Sequence, residues 1–476
     1  MDFQYSQTVL ACQRLGFGPL PGELADVRVL GARRWLEVQL TAPLSKHADL
    51  QALPSSQQIL LQIDSLKNLR KQAQGAEAKR AAQHQVSQYL RQTYLEQMAA
   101  RASQTLTTRQ GFNERLVQFW SNHFAVSGDA RQVRALTACI ENEVIRPGFR
   151  GNFAALLIAV IQHPAMLLYL DNAVSTGPDS AQGENALGKH AQGKNPQNKK
   201  KGRGLNENLA REILELHTLG VNGGYQQQDV RQLAHALTGW TVVYKGKRAG
   251  TFGFVAGMHQ PGDVTVLGNC YSGKGIEQAR SCLQDLALHP ETARHLAGKL
   301  SQHFIGRDDG ELVDELTRVY LQHKGELLPV YQALISHPSV WQAQKVRFRP
   351  PQLWLFAALR GGALIADCRS IQRALMLLGQ QPFYAGSPAG WSDRDSDYNS
   401  PSALMQRWQV AGVMAGLLLR EAKFRGDEYA SSLYSGMLDN VFEGEADEHL
   451  TSAVRQAQDP VTALTLLWLS PQFQYC

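Results

Sequence analysis

Gly151-Asn-Phe-Ala-Ala-Leu-Leu-Ile-Ala-Val-Ile-Gln-His-Pro164 decides the fold, because an almost unbroken apolar run ends on a histidine followed by proline. Proline cannot continue a helix, yet its fixed φ suits the first turn of the next one. Apolar helix, break, new helix is therefore the local grammar. The chain uses it again in Gly325-Glu-Leu-Leu-Pro-Val-Tyr-Gln-Ala-Leu-Ile-Ser-His-Pro338, where the glycine again precedes the histidine by twelve residues. Upstream, Leu116-Val-Gln-Phe-Trp-Ser-Asn-His-Phe124 echoes Leu296-Ala-Gly-Lys-Leu-Ser-Gln-His-Phe304, with a shorter connection in the second copy. Leu464-Thr-Leu-Leu-Trp-Leu-Ser-Pro471 is a weaker third echo. The expected fold is a mainly α-helical array in one compact body, with two pseudo-repeated helical units at 111–172 and 280–345. Histidines that match between the copies (His123 with His303, His163 with His337) are expected to serve the shared architecture, for example as buried imidazoles bonded to backbone.

Outward from these units, residues 1–110 read as an N-terminal helical arm. It opens with the turn Leu15-Gly-Phe-Gly-Pro19, and residues 55–104 are rich in strong helix formers, enough for one or two extended helices. Residues 173–204 read as a flexible basic linker, and 205–279 as a signature helix followed by a small β-hairpin insert. In that insert Gly239-Trp-Thr-Val-Val-Tyr244 and Thr251-Phe-Gly-Phe-Val255 flank the turn Lys245-Gly-Lys-Arg-Ala-Gly250, with a loop and short strand over 258–268. Helix returns over the C-terminal region 346–476, interrupted by Gly379-Gln-Gln-Pro-Phe-Tyr-Ala-Gly-Ser-Pro-Ala-Gly-Trp-Ser-Asp393.

Composition narrows the function. At 476 residues, 43% hydrophobic and 19% charged, the chain is an ordinary globular protein. No apolar run approaches the roughly eighteen residues of a membrane span. The opening Met1-Asp-Phe-Gln-Tyr-Ser-Gln7 lacks the basic and apolar regions of a secretory signal, which predicts a cytoplasmic protein; export with a partner is the alternative. Six scattered cysteines predict reduced thiols, not a disulfide framework or a zinc knuckle. Of the net charge of +6, residues 173–204 supply six Lys or Arg against Asp179 and Glu184, hence +4. That stretch is rich in Gly, Asn, Gln and Ser, and reads as a solvated loop. Residues 199–203 would hold polyanions only without sequence preference, so no specific nucleic-acid partner is expected.

Several catalytic motifs drop out. Gly183-Glu-Asn-Ala-Leu-Gly-Lys-His190 nearly spells a phosphate loop, but His190 stands where Mg²⁺ needs Ser or Thr. Gly386-Ser-Pro-Ala-Gly390 lacks the spacing of a nucleophile elbow, and no HExxH occurs. The densest chemistry lies in Asn206-Glu-Asn-Leu-Ala-Arg-Glu-Ile-Leu-Glu-Leu-His-Thr-Leu-Gly220. At about 100° per residue, Leu209, Ala210, Ile213, Leu214, Leu216, His217 and Gly220 share one face, and Glu207, Asn208, Arg211, Glu212, Glu215 and Thr218 the other. Glu215 and His217 then point about 200° apart, which forbids a shared metal; inward ligands in helical bundles sit three apart. His217 is expected in the core. On the polar face Glu207, Arg211 and Glu215 form a ladder, beside Asn208 and Glu212. If another element covers them, these carboxylates must be paired or metal-bound; Arg146, Asp171 and Asn172 are the expected neighbours.

At these residues the chain resembles the bacterial domain-of-unknown-function family 1800. The resemblance rests on Arg14-Leu-Gly-Phe-Gly-Pro19, Phe119-Trp-Ser-Asn-His-Phe124, Ile145-Arg-Pro147, His163-Pro-Ala-Met-Leu-Leu-Tyr-Leu-Asp-Asn172 and Gly177-Pro-Asp-Ser180, then on Asn206 to Gly224, Leu237-Thr-Gly-Trp240, Gly379-Gln-Gln-Pro382 and Ser470-Pro-Gln-Phe473. It implies no established activity; similar members occur beside exported, sulfatase-like proteins, which implies a shared pathway. The chain departs from the family pattern at Gln226, where Thr is usual, at Val264, where Lys is common, and in its extended basic linker.

Two functions follow. The first is a binding or maturation partner of another protein, such as an exported sulfatase-like one, with the polar face as a structural network. The second is a metal- or carboxylate-dependent enzyme sited at the polar face of residues 206–218. There Glu207, Asn208, Arg211, Glu212 and Arg146 would be the catalytic candidates, and His123 or His259 the acid/base or metal ligand. Its cofactor would be a divalent transition metal.

Overall fold

Ser55 opens the helical arm by a reciprocal cap: its hydroxyl accepts from the Gln58 N–H (3.2 Å) and the Gln58 side chain accepts from its own N–H (2.8 Å). Helix Ser56–Gln72 follows, Gly75 breaks the chain at φ 82°, and Ala76–Thr107 then runs 32 residues. In this computed structural model the described residues are 5–131, 133–183, 204–342, 347–362, 367–424 and 427–476. The basic stretch 189–203 and the near-phosphate-loop at 184–190 lie outside them.

The protein is mainly helical, as the apolar periodicity requires. Helix Gly111–His123 runs through its centre, with Phe112, Leu116, Val117, Phe119 and Trp120 all at most 1% exposed. Trp120 Nε1 donates to the Tyr331 hydroxyl (2.6 Å), which donates in turn to the Phe149 carbonyl (2.6 Å). One buried polar chain thereby ties the central helix to the second apolar segment and to Phe149, two residues before the first.

The His-Pro endings are caps. His163 Nδ1 accepts from the Ala165 N–H (3.1 Å), and Pro164 is the first residue of helix Pro164–Tyr169. His337 accepts likewise from Ser339 (3.3 Å), and His289 from Glu291 (3.2 Å) ahead of helix Pro290–Ile305. An imidazole here does the work usually given to Ser or Asp at a helix start.

Where the two apolar segments meet, they exchange equivalent bonds: the Phe153 N–H donates to the Gly325 carbonyl (2.9 Å) and the Leu327 N–H to the Gly151 carbonyl (3.0 Å). The reciprocity holds at this junction and not along the whole units. Residues 134–148 pass through 3-10, α and π turns, whereas the second segment has one regular helix there, Gly310–Gln322.

The insert forms two small antiparallel sheets among the described residues. Trp240–Val242 pairs with Phe252–Phe254, and Val264–Val266 pairs with Asn269–Tyr271. The second hairpin turns through Leu267 (φ 49°) and Gly268 (φ 78°), the positive-φ pair that matches the twist of adjoining strands. Buried apolar residues from Tyr5 to Cys476 form one contiguous cluster. The six cysteines are unpaired. No helix among the described residues is long and apolar enough to cross a membrane.

Candidate active site: the His303–Asp393 cavity

The signature stretch folds as helix Asn208–Glu212 and then winds into a π-turn, Ile213–His217, closed by the Thr218 hydroxyl on the Ile213 carbonyl (2.6 Å). The wider turn shifts the phase. Thr218, expected on the polar face, is fully buried, and Leu216, expected on the apolar face, is partly exposed. His217 lies in the core as expected, 0% exposed.

The polar face is a clasp between helices. Glu207 accepts from Gln227 (2.7 Å) and pairs with Arg211 (3.4 Å) and Arg231 (3.5 Å), while Arg211 also donates to Gln227 (2.8 Å). Asn208 is exposed. Burial and the neighbouring Glu215 push the Glu212 carboxyl up, against Arg211. Arg146 is bonded elsewhere: it is 2% exposed and grips Glu114 (2.6 and 3.0 Å) and Glu141 (3.2 Å). Asn172 is held by the carbonyls of Leu237 and Trp240, and the Asp171 carbonyl reaches the signature stretch, accepting from Asn206 (3.4 Å). His123 shares a hydrogen bond with the His217 carbonyl (3.2 Å), and His259 one with the Thr238 carbonyl (3.0 Å). No group of three or more His, Cys, Asp or Glu among the described residues is arranged to hold a metal ion.

A different set of residues gathers around an open-sided cavity of about 90 Å³, lined among others by Phe17, Arg101, Arg115, His303, Arg347, Phe383, Trp391 and Asp393. The loop 379–393 closes one wall. Tyr94 donates to the Pro382 carbonyl (2.8 Å), the Gly128 N–H to the Phe383 carbonyl (2.8 Å), and Tyr398 to the Ser392 carbonyl (2.8 Å). Asn122 grips Trp391 twice, through its N–H (2.7 Å) and its carbonyl (2.8 Å). Gly390 has φ 79°, and a Cβ there would sit 2.4 Å from the Asn122 carbonyl oxygen, so only glycine lets the loop approach.

This wall presents Asp393 to His303. Its carboxylate meets His303 Nδ1 at 2.9 Å and Arg347 Nη2 at 2.8 Å. Burial pushes Asp393 up, but His303, its hydrogen bond, Arg347 and Lys299 overcome this and hold the carboxyl below the usual range. Burial pushes His303 down to about 4, despite Asp393. At neutral pH an ionised Asp393 therefore accepts from a neutral imidazole, which fixes the proton on Nδ1 and leaves a lone pair on Nε2. That Nε2 is buried and meets no hydrogen-bond partner among the described residues. The carboxylate thus orients this imidazole with its far nitrogen unprotonated and free to accept a hydrogen bond.

The cavity is also cationic. Arg347, 1% exposed, has Nε and Nη1 buried without partners among the described residues. Arg115 is flanked by the Phe17 and Phe304 rings (5.6 and 5.3 Å) and donates to the carbonyls of Gly16 (3.2 Å) and His303 (3.4 Å). Burial, with Arg347 nearby, pushes it down to about 9.

Sequence reasoning missed this site because its parts are 90 and 46 residues apart. In the sequence, the match to His123 points His303 toward architecture, and Asp393 merely ends an interrupting loop. The signal present was that loop: long connections inside compact helical domains are commonly functional.

No curated protein and no solved structure matches the chain. The family described as "Protein of unknown function (DUF1800)" matches residues 10–475, nearly the whole length, and the chain belongs to that family.

Proposed function

We propose that the protein is an enzyme working by general acid–base catalysis in the His303–Asp393 cavity. The observation that carries this reading is the buried His303 Nε2, unpartnered, on an imidazole whose other nitrogen is tied to Asp393. His303 takes a proton from a hydroxyl or water held beside it, Asp393 stabilises the imidazolium that forms, and the proton passes to the departing group. An open-sided cavity of about 90 Å³ admits only a small ligand or the reacting end of a larger one. The test is turnover of a panel of neutral and anionic aryl esters, comparing wild type with His303→Gln. Loss of about 10²- to 10⁴-fold is expected; equal rates in both proteins would sink the proposal. A substrate-free check is nitrogen-15 NMR of the imidazole. An Nδ1–H neutral form is expected at pH 7, and an imidazolium there would contradict the assignment.

A separate surface favours the partner reading. Leu404, Met405 and Trp408 on helix Pro401–Phe424 are 38%, 55% and 57% exposed, and Met376 and Leu377 on the packed helix Cys368–Leu377 are 57% and 56% exposed. Exposed apolar side chains on two touching helices are the feature that supports this reading. Under this reading a neighbouring sulfatase-like protein docks there. Co-purification after co-expression is expected to be lost in Trp408→Asp; complex formation unaffected by that change would discard it.

A further inference from the structure

The hydrogen-bonding inventory of the cavity is lopsided. Three donors around it, Arg347 Nε, Arg347 Nη1 and Trp391 Nε1, are buried without partners among the described residues. Two amide oxygens on the wall are already engaged: Asn122 Oδ1 accepts from Trp391, and Gln380 Oε1 from the Gln352 N–H (2.8 Å). A ligand that completes such a site must bring acceptors. Arg101 is offset by Glu141 at 3.2 Å, Arg115 faces Cys476 as well as Asp393, and Arg347 faces both Asp393 and Asp395, so the open donors and not a net charge define the ligand. Guanidinium donors with an indole N–H beside them match the oxygens of a carboxylate or phosphate.

We infer that this cavity takes a small molecule with an oxyanion head, a carboxylate or a phosphate, held by Arg347 and Trp391 beside His303. The inference rests on the acid–base reading of the same cavity and adds the class of substrate. The head occupies the Arg347 and Trp391 donors. A hydroxyl on the same molecule, or a water, supplies the proton that His303 Nε2 accepts. Phe17 and Phe383 give the remainder of the molecule an apolar wall.

Titration calorimetry with inorganic phosphate and with acetate tests this on the full chain, with tetramethylammonium as the cationic control. Wild type is expected to bind phosphate or acetate and not the cation, and the preferred anion identifies the head. Arg347→Met is expected to weaken binding at least about tenfold, and Trp391→Phe, which keeps a ring and removes one donor, about three- to tenfold. His303→Gln is expected to stay within about threefold, because it removes the base and not the donors. Should Arg347→Met fail to fold, Trp391→Phe decides. No binding of either anion at tens of millimolar, or unchanged affinity in the folded variants, overturns the inference. His303-dependent turnover of neutral esters in that case would leave the acid–base reading standing. Anion binding without any His303-dependent turnover would do the reverse.

Discussion

Ser121-Asn-His-Phe124 and Ser301-Gln-His-Phe304 occupy the C-terminal turns of two helices with one pattern and different surroundings. Their amides act alike: Asn122 grips Trp391, and Gln302 donates to the Asp393 carbonyl (3.1 Å), so both hold the same loop. Their histidines diverge. His123 lies among Phe119, Trp120, Phe124 and Phe153 and bonds a backbone carbonyl. His303 bonds a carboxylate and lines a cavity. Burial lowers the proton affinity of both imidazoles. Only the second has an anion to orient it. One sequence pattern can thus fix a helix end and an imidazole position while a distant loop decides what that imidazole meets.

The strongest way to break the contrast is to remove each histidine in turn. His303→Gln and Asp393→Asn are each expected to reduce turnover per folded molecule about 10²- to 10⁴-fold, and Asp393→Asn also to cost about 3–5 kcal/mol of stability, because it leaves Arg347 buried without its carboxylate. His123→Gln is expected to leave the rate per folded molecule close to wild type. A comparable loss in folded His123→Gln would mean that both motifs serve the reaction.

Acid separates the two roles further. The imidazoles of His217, His295 and His303 are pushed down by burial to about 3, 4 and 4. In the unfolded chain they titrate near about 6.5. Below that pH the unfolded state binds protons that the folded state refuses, so stability is full above about 6.5 and falls as pH drops toward 4. At about 1.4 kcal/mol per pH unit, a buried imidazole such as His217 costs on the order of 3 kcal/mol across that window. Urea midpoints between pH 7 and 4.5 measure this, and His217→Met should flatten the slope. Turnover, taken as initial rates on folded protein, should hold to about pH 5 and fall through about 4, where His303 protonates. A rate limb near 6.5 would show a solvated base and remove the burial argument.

Gly390→Ala tests the loop that distinguishes the two motifs. A methyl group 2.4 Å from the Asn122 carbonyl, on a residue at φ 79°, must displace the segment carrying Asp393. A stability loss of about 1–3 kcal/mol is expected, with turnover falling further than stability alone explains. Gly386→Ala is the control: its φ is also positive, at 74°, but a Cβ there meets nothing within 4 Å. It should cost stability and spare the rate.

The helical array was legible in the sequence because its rule is local. His-Pro caps at 163, 289 and 337 need only neighbouring residues to form. The hairpin at 240–254 was legible for the same reason. The polar face of the signature segment was legible only as far as Ile213. There an i→i+5 turn, which α-helical periodicity does not anticipate, exchanges the exposure of Leu216 and Thr218. Arg146 marks another limit: its neighbours Glu114 and Glu141 come from elements that the signature gave no reason to join. The cavity was not legible because Asp393, Arg347 and His303 meet through tertiary packing, and each residue alone carries an ordinary local signal.

The smallest effects are expected on the signature face, and they sharpen the comparison by their size. An enzyme sited there predicts that Glu212→Gln folds and loses activity; a buried structural network there predicts that it unfolds. The geometry supports neither outcome. Glu212 is partly exposed, and its carboxyl is pushed up by burial and by Glu215, so neutralising it removes a repulsion. Stability is expected to change by no more than about 0.5 kcal/mol, and turnover to stay within about twofold. Glu207→Gln, which loosens the clasp to Arg211, Gln227 and Arg231, should cost about 0.5–1 kcal/mol, because those partners remain wet. A tenfold loss of turnover in folded Glu212→Gln would move the chemistry to the signature helix and leave His303 and His123 as two versions of one structural residue.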